Sequence, residues 1–496
     1  MNKKIYLIPV LLMLFSACKK NLDINVNPVQ PVTTTSNLML PGVLGNMAYH
    51  AYSHARFSVY HSFYITSRYT TNAIESQWDY NRITRMGAWR WHYFDVGSNC
   101  ISLIKTAEQE QSFNYSGVGK IIMAYSYLTA TDSFGDMPVK EAYTGDFSPA
   151  YDTQDVVYAE VERLLNEGMA DIQKSGSQAK VMNAASDLIF QGDLSKWTAF
   201  AHALKARMRI HTANFDNKYD EVISEANTAL AAWKDPVFKY AADPQRDYEK
   251  NMWGPSVPNP VWNFADITNY LGNSVSTDFF MNYLTVAEPG IKYDPRLYKL
   301  TTPGKNGRYQ GAKMSEGIAD IPFDDFASLY KGFWTADNSP MPYMLKEELY
   351  FMKSEAAWYK NDKQTAFEAY KSGISENMGR LGIVADSVSR YMASAKVKKT
   401  ADDLTIGDIM MQKYVALYLQ GETWVDMRRH KYKTDAYPGL YYPKNILAEF
   451  GGKWIQRFPY DPQTEYIYNP KEIARLGAMA RNWVFTDLWW SANSKL

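Results

Sequence analysis

The chain has 496 residues, enough for more than one domain, and its 53 basic residues balance its 53 acidic ones. Without an excess of positive charge, the composition gives no reason to expect nucleic acid or an anionic surface as a partner. Aromatic residues make up 15% of the sequence, with 37 Tyr and 14 Trp. Such residues suit a packed core, and they also suit a surface that stacks on sugar rings.

The N-terminus has the pattern of a lipoprotein signal peptide. Two early lysines precede an apolar run over residues 5–15, which is too short to span a bilayer, and small residues then lead to Cys18. This pattern predicts a signal peptide over 1–17, acylation of Cys18, and a lipidated polar tether over 18–36. An ordinary signal peptide followed by an incidental cysteine is the alternative.

The remainder, 37–496, is predicted to be a single, mainly α-helical body. Apolar residues recur with helical spacing in many segments, whereas alternation with period two is confined to short pieces. The predicted helical segments are 38–69, 117–130, 153–174, 193–214, 219–233, 346–359, 363–378 and 406–430. Irregular insertions are predicted at about 75–115, 235–345 and 435–496, where Pro, Gly, Asn and aromatic residues interrupt the helical period.

One helix pair carries a repeat signature. Large and small residues across 346–378 follow the spacing of a tetratricopeptide repeat, in which small side chains let two antiparallel helices approach closely. The residues that carry this spacing are Tyr350, Ser354, Ala357, Ala366, Tyr370 and Gly373. Gly373 stands where alanine is usual. The pattern predicts a scaffold of tetratricopeptide-like helix pairs with a long, loop-rich, ligand-binding half over it.

The insertions supply the candidate ligand-binding residues. Trp78, Trp89 and Trp91 occur among Asn and Arg residues, a mixture that favours a polar-rimmed aromatic surface over a buried cluster. A sugar site needs aromatic faces for stacking and nearby polar groups for the hydroxyls. Tyr298 and Trp334, both in the second insertion, are further candidates.

Signals for catalysis and for metal or cofactor binding are weak. The sequence predicts no catalytic residues, no metal site and no cofactor. His50 and His54 have the i,i+4 spacing of two metal ligands, but Ala51 stands where a zinc protease has its glutamate. This spacing favours a stacked or hydrogen-bonded helix surface. Polar residues near helix ends are predicted to form caps and ion pairs: Asp132, Asp136, Asp193, Asp426, Arg428 and Arg429.

An ordered set of short motifs carries a family resemblance. The motifs are TDSFGDMP at 131–138, GDLSKW at 192–197, DPRL at 294–297, ELYFMKSEAAW at 348–358, GETWVDMRR at 421–429 and RFPY at 457–460. In this order they resemble the SusD/RagB family of nutrient-binding outer-membrane lipoproteins, in its second, SusD-like branch. Each motif alone is unspecific, but the ordered set is specific.

The resemblance implies four tetratricopeptide-like helix pairs beneath an irregular ligand-binding half. It implies a lipid-anchored protein on the cell-surface side of the outer membrane, where it captures oligosaccharide for a SusC-like TonB-dependent transporter. Such proteins bind and do not catalyse. Their ligand residues vary between members, so the family assigns none of them here.

Three other functions remain open at this stage. A member of the same family could take peptide instead of glycan. A secreted glycosidase would need two carboxylates at catalytic separation in an aromatic cleft. A purely structural repeat scaffold would bind a protein partner and no small ligand.

Overall fold

The computed structural model describes residues 34–174, 180–243, 249–255 and 270–496. The predicted signal peptide, Cys18 and all but the last residues of the tether lie outside the described residues. Among the residues described, no helix combines the length and the apolarity needed to cross a membrane.

The fold is mainly helical. In the first half the α-helices are α1 (Ser36–His61), α2 (Gly87–Arg90), α3 (Ser98–Gln109), α4 (Phe113–Phe134), α5 (Gln154–Ile172), α6 (Leu194–Asp216) and α7 (Tyr219–Ala231). In the second half they are α8 (Asp278–Tyr283), α9 (Leu297–Leu300), α10 (Lys346–Tyr359), α11 (Lys363–Arg380), α12 (Ala385–Ala393), α13 (Ile406–Ala416), α14 (Glu422–Arg429), α15 (Glu465–Tyr468), α16 (Pro470–Leu476) and α17 (Trp489–Ala492).

The described strands are short and form three two-stranded antiparallel sheets. They are β1 (Ile65–Ser67), β2 (Val237–Phe238), β3 (Ser274–Ser276), β4 (Thr285–Glu288), β5 (Ile291–Tyr293) and β6 (Met341–Pro342). β1 pairs with β3 and β2 with β6, whereas β4 and β5 form a local hairpin. The first two sheets therefore join distant parts of the chain, and the third shapes a loop.

Helix pairs form the scaffold, as the sequence predicted. α4 packs on α5, α6 on α7, and α10 on α11, while α13 packs against α10 and α11. In the first pair the backbones nearly touch, since a Cβ added to Gly117 would lie 2.5 Å from the carbonyl oxygen of Gly168. Small residues at the crossing thus fix the distance between the two helices.

The predicted repeat at 346–378 is a closely packed helix pair. The Ser354 hydroxyl donates to the carbonyl oxygen of Ala366, 2.7 Å away across the pair. A Cβ added to Gly373 would lie 2.8 Å from the ring of Phe351, which is fully buried. The glycine at this position therefore makes room for an aromatic ring of the partner helix.

The prediction of one continuous helix over 406–430 was wrong. The segment divides into α13 and α14, with Leu419 between them at a φ of +62°. The hydroxyl of Tyr64 donates to the Tyr414 carbonyl, 2.5 Å away, near the end of α13. After the break, Gly421 lies beside α1, since a Cβ added to it would stand 3.7 Å from the Cα and backbone nitrogen of Ala55.

The first insertion is also more regular than the sequence predicted. Residues 87–109 run continuously through α2, a π-helical segment at Trp91–Gly97, and α3. In the second insertion, 235–345, the described residues form short strands, short helices and turns.

Candidate ligand-binding site

The five aromatic residues predicted to bind ligand differ sharply in exposure. Trp78 is 1% exposed, Trp89 4% and Trp91 7%, and Trp334 is also buried. Tyr298, by contrast, is 53% exposed. Ligand contact stays a prediction for all five, but only the Tyr298 ring is open to a ligand without rearrangement.

The tryptophans of the first insertion pack into the core and do not form the polar-rimmed surface that we expected. Trp89 donates its indole N–H to Glu465 Oε1 at 2.7 Å and lies edge-on to Phe134, and Trp91 stacks on Tyr49 at 5.0 Å. The helical path from residue 87 turns Trp89 and Trp91 inward, while Arg82 is exposed and Arg85 and Arg90 are half-buried. A run of Trp and Arg has the same composition whether the rings are buried or exposed, so composition could not distinguish a core cluster from a ligand-binding surface.

Trp334 lines a central cavity. The cavity measures about 70 Å³, and its wall includes Trp253, Tyr343, Arg207 and Glu422. Ligand pockets for small molecules typically measure about 300–1,000 Å³, whereas one water molecule takes up about 30 Å³ of the liquid. The cavity therefore suits a few water molecules and is too small for a sugar ring.

The charged groups around this cavity bind one another. Arg207 forms two 2.7 Å hydrogen bonds with the buried Glu348, and His211 contacts Glu422 at 2.7 Å. Asp132 accepts from the Tyr158 hydroxyl at 2.5 Å and from the Trp490 indole at 2.9 Å. Carboxylates held in this way join helices, which agrees with the structural role predicted for Asp132.

A second group of predicted structural residues behaves in the same way. Asp193 caps α6 by accepting from the backbone N–H of Ser195 at 3.0 Å. Asp426 pairs with Arg429 and with Lys413, all three fully buried. The prediction of caps and ion pairs is confirmed at these positions.

The histidine pair of α1 lies in the interior. His50 and His54 contact each other with ring centroids 4.5 Å apart, and His92 lies next to His50. Burial lowers the pKa of His50 to about 3 and depresses the pKa values of the other two as well. Within the described ranges no group of three or more His, Cys, Asp and Glu residues has the arrangement of a metal site.

Tyr298 belongs to a cluster of three tyrosines that we call the tyrosine platform, Tyr293, Tyr298 and Tyr309. The ring centroids are 6.2 Å apart for Tyr293 and Tyr298, 5.7 Å for Tyr298 and Tyr309, and 5.4 Å for Tyr293 and Tyr309. All three pairs meet edge to face. Such a cluster presents apolar ring surface together with hydroxyl groups, as sugar binding requires.

Short local elements position the platform. The β4–β5 hairpin turns at Pro289-Gly290, where Gly290 has a φ of +80°, and ends on Tyr293. Helix α9 follows after three residues and carries Tyr298, while Tyr309 comes from a loop that turns at Gly307. The three rings thus come from three separate segments of the second insertion.

A buried ion pair fixes the base of the platform. Arg296, fully buried, contacts Asp294 at 2.7 Å and donates to Gln412 Oε1 at 2.6 Å and to the Tyr391 hydroxyl at 3.2 Å. These bonds tie the DPRL motif to α12 and α13. Because the motif lies directly between Tyr293 and Tyr298, the same pair orients both.

The sequence analysis predicted Tyr298 as a ligand residue but did not predict Tyr293 and Tyr309 as its neighbours. Their contact depends on a hairpin and a loop whose register the sequence does not reveal. A usable signal was present nonetheless, since each of the three tyrosines stands beside a basic residue in the sequence.

A surface cleft of about 480 Å³ is also large enough for a sugar. It lies between α8 and α13, and several of its polar wall groups already bind within the protein. Tyr441 donates to Asp278 at 2.6 Å, and Lys396 donates to the Tyr283 carbonyl at 2.9 Å. These contacts already occupy part of the polar wall of the cleft.

The protein has a scaffold of helix pairs under a loop-rich region that carries an exposed aromatic cluster. This architecture is that of a mainly helical binding protein. The chain belongs to the SusD-like family, because the family model SusD-like_2, described as "Starch-binding associating with outer membrane", matches residues 27–460. It is thus a member of a family of glycan-binding proteins associated with the outer membrane. No curated protein matches the sequence.

Solved structures share the whole fold at low sequence identity. A chitin-binding SusD homologue from Flavobacterium johnsoniae is similar at a TM-score of 0.72 with 18% identity, over 92% of this chain and 98% of that one. A SusD/RagB family protein from Bacteroides thetaiotaomicron gives 0.68 with 21% identity, over 93% and 100%. A SusD homologue from Parabacteroides distasonis gives 0.69 with 20% identity, over 92% and 98%.

Proposed function

We propose that this protein captures oligosaccharide at the tyrosine platform and delivers it to a SusC-like TonB-dependent transporter. The observation that carries the binding step is the exposed ring of Tyr298, held edge to face against Tyr293 and Tyr309. Ring faces of this kind stack on the C–H faces of sugars, and no covalent step follows. The function is capture and release.

The delivery step rests on family membership and on the N-terminal signal. Acylation of Cys18 would hold the body at the outer membrane, on the cell-surface side, where a transporter of the SusC type could receive the ligand. Full-length protein extracted gently from its own membranes should then co-purify with such a barrel. Extraction as a free lipoprotein, with no barrel in any fraction, would contradict delivery.

The binding step is tested by removing one ring. We expect Tyr298→Ala to weaken oligosaccharide binding about three- to tenfold, because an aromatic contact contributes about 0.5–1.5 kcal/mol. Affinity electrophoresis against a panel of neutral and acidic polysaccharides, followed by calorimetry on the best ligand, measures the change. Tyr468→Ala is the matched control, since Tyr468 is also an exposed tyrosine but lies on α15, outside the platform.

Equal affinity of wild type and Tyr298→Ala for every retained polysaccharide would contradict the platform as the binding site. If the protein retained peptides and no polysaccharide, the fold assignment would stand and the ligand would be peptide instead of glycan. New reducing ends in the same samples would indicate a glycosidase.

A further inference from the structure

We infer from the charge around the tyrosine platform that its ligand is an anionic oligosaccharide, one that carries carboxylate or sulfate groups. This inference rests on the proposed function, which leaves the chemical class of the glycan open. The starting observation is a local charge excess within a neutral chain. Residues 289–313 include a single acidic residue, Asp294, and six basic ones: Lys292, Arg296, Lys299, Lys305, Arg308 and Lys313.

Two of these six cations already form ion pairs with carboxylates of the protein, Arg296 in the interior and Lys305 at the surface. Arg296 is buried on Asp294, and Lys305 forms an ion pair with Asp324. Neither is available to a ligand as a free charge.

Three others flank the platform and remain exposed. Lys292 precedes Tyr293, Lys299 follows Tyr298, and Arg308 precedes Tyr309, so each platform tyrosine has a basic neighbour. The Lys292 ammonium lies 5.0 Å from the centre of the Tyr293 ring. Throughout the described part of the chain, no carboxylate forms an ion pair with Lys292, Lys299 or Arg308.

The nearest acidic group on the hairpin does not cancel this charge. Glu288 ends β4, on the other side of the hairpin turn, and its carboxylate accepts from the backbone N–H of Ala395 at 2.9 Å. It is therefore held against the segment after α12. The platform remains a cluster of aromatic rings bordered by cations.

A neutral sugar has no charged group that could pair with these three cations. A uronic acid has a carboxylate that could do so, and a sulfated sugar has a sulfate. An arginine binds carboxylate or sulfate through two parallel N–H donors, and a lysine acts as a point charge. Exposed charges of one sign also raise the rate at which an oppositely charged ligand arrives. Stacking would hold the ring while the cations select the charged substituent.

The test compares ligands that share a backbone and differ in charge. Full-length protein in detergent is titrated with oligogalacturonate and with its methyl ester for the carboxylate arm, and with dextran sulfate and dextran for the sulfate arm. We expect at least about tenfold tighter binding of the charged ligand in one arm, which identifies the group. Binding should weaken as salt rises from about 0.05 to 0.5 M, because exposed charges are screened.

Variants connect that preference to the flanking cations. The double variant Lys299→Gln/Arg308→Gln should lose about tenfold in affinity for the charged ligand and lose most of the salt dependence. Lys471→Gln, an exposed lysine on α16, is the control and should change neither.

Each other outcome has a distinct meaning. Equal binding of the charged and neutral ligands, with loss in Tyr298→Ala, would overturn the anionic class and leave sugar capture at the platform intact. A charge preference that survives Lys299→Gln/Arg308→Gln unchanged would also overturn the inference. No binding of any polysaccharide would remove both the inference and the proposed function.

Discussion

Glu355 and Arg429 show how single buried charges hold the scaffold together. Glu355 on α10 accepts from both terminal nitrogens of Arg429 on α14, at 2.9 and 3.0 Å, and His430 lies 3.1 Å from the same carboxylate. Burial alone would raise the pKa of Glu355, but Arg429 and His430 hold it well below its usual range. The carboxylate is therefore charged in the folded protein.

We expect Glu355→Gln to lower the free energy of unfolding by about 3 kcal/mol, because it leaves the buried Arg429 without its main counter-charge. The matched control is Asp386→Asn, which removes one charge from the pair with Arg390, where both side chains are more than half exposed. That change should cost less than about 1 kcal/mol. Urea unfolding followed by circular dichroism measures the free energy of unfolding of both variants. Equal losses in the two would contradict a stabilising role specific to the buried pair.

At the scale of elements, helix packing distinguishes two glycines on α11. Gly373 faces the ring of Phe351, whereas nothing lies within 4 Å of where a Cβ would stand on Gly379. Both glycines lie in the same helix, so they share the intrinsic cost of glycine there, about 0.5–1 kcal/mol relative to alanine. Their surroundings alone should decide the sign of a substitution.

We expect Gly373→Ala to destabilise the protein by about 1–3 kcal/mol through overpacking. We expect Gly379→Ala to stabilise it by up to about 1 kcal/mol. Urea midpoints of the two variants give the comparison. Adding Phe351→Leu to Gly373→Ala should recover part of the loss, since the smaller side chain leaves room for the new methyl group. A stabilising Gly373→Ala would show that the two helices can separate freely.

The sequence predicted the elements whose signals are local. α10 begins and ends at the predicted residues, and the ends of α6 and α7 lie within two residues of prediction, because apolar spacing and a cap such as Asp193 act within a few turns. The break near Leu419 escaped prediction because the contact beside it, the hydrogen bond from Tyr64 to the Tyr414 carbonyl, comes from a residue far away in sequence. The exposure of the aromatic residues escaped prediction for the same reason. Trp89 is buried by Phe134 and Glu465, whereas Tyr298 remains 53% exposed.

At the scale of the whole molecule, buried histidines link stability to pH in two opposite ways. Burial alone would lower the pKa of His211, but the carboxylates of Glu422 and Asp132 raise it to about 9. The stability that its charge contributes is therefore complete below pH 6.5, the ordinary value, and is lost as pH rises through 9. His50 is the reverse case, because its pKa is lowered to about 3 and the folded state keeps it neutral.

The two histidines should thus act on different sides of the pH profile. We expect His211→Gln to cost up to about 3 kcal/mol near pH 6 and progressively less towards pH 9.5, since 2.5 pKa units correspond to about that energy. For His50→Gln, the difference in free energy of unfolding from wild type should become smaller as pH falls from 6.5 towards 4. Wild type loses stability over this range because His50 takes up a proton only on unfolding, whereas the variant has no such histidine. Urea midpoints measured every half pH unit separate the two. A deficit of His211→Gln that stays constant up to pH 9.5 would mean that His211 is neutral in the fold, and the carboxylates of Asp132 and Glu422 would then have to be balanced by Arg207 and Arg428 alone.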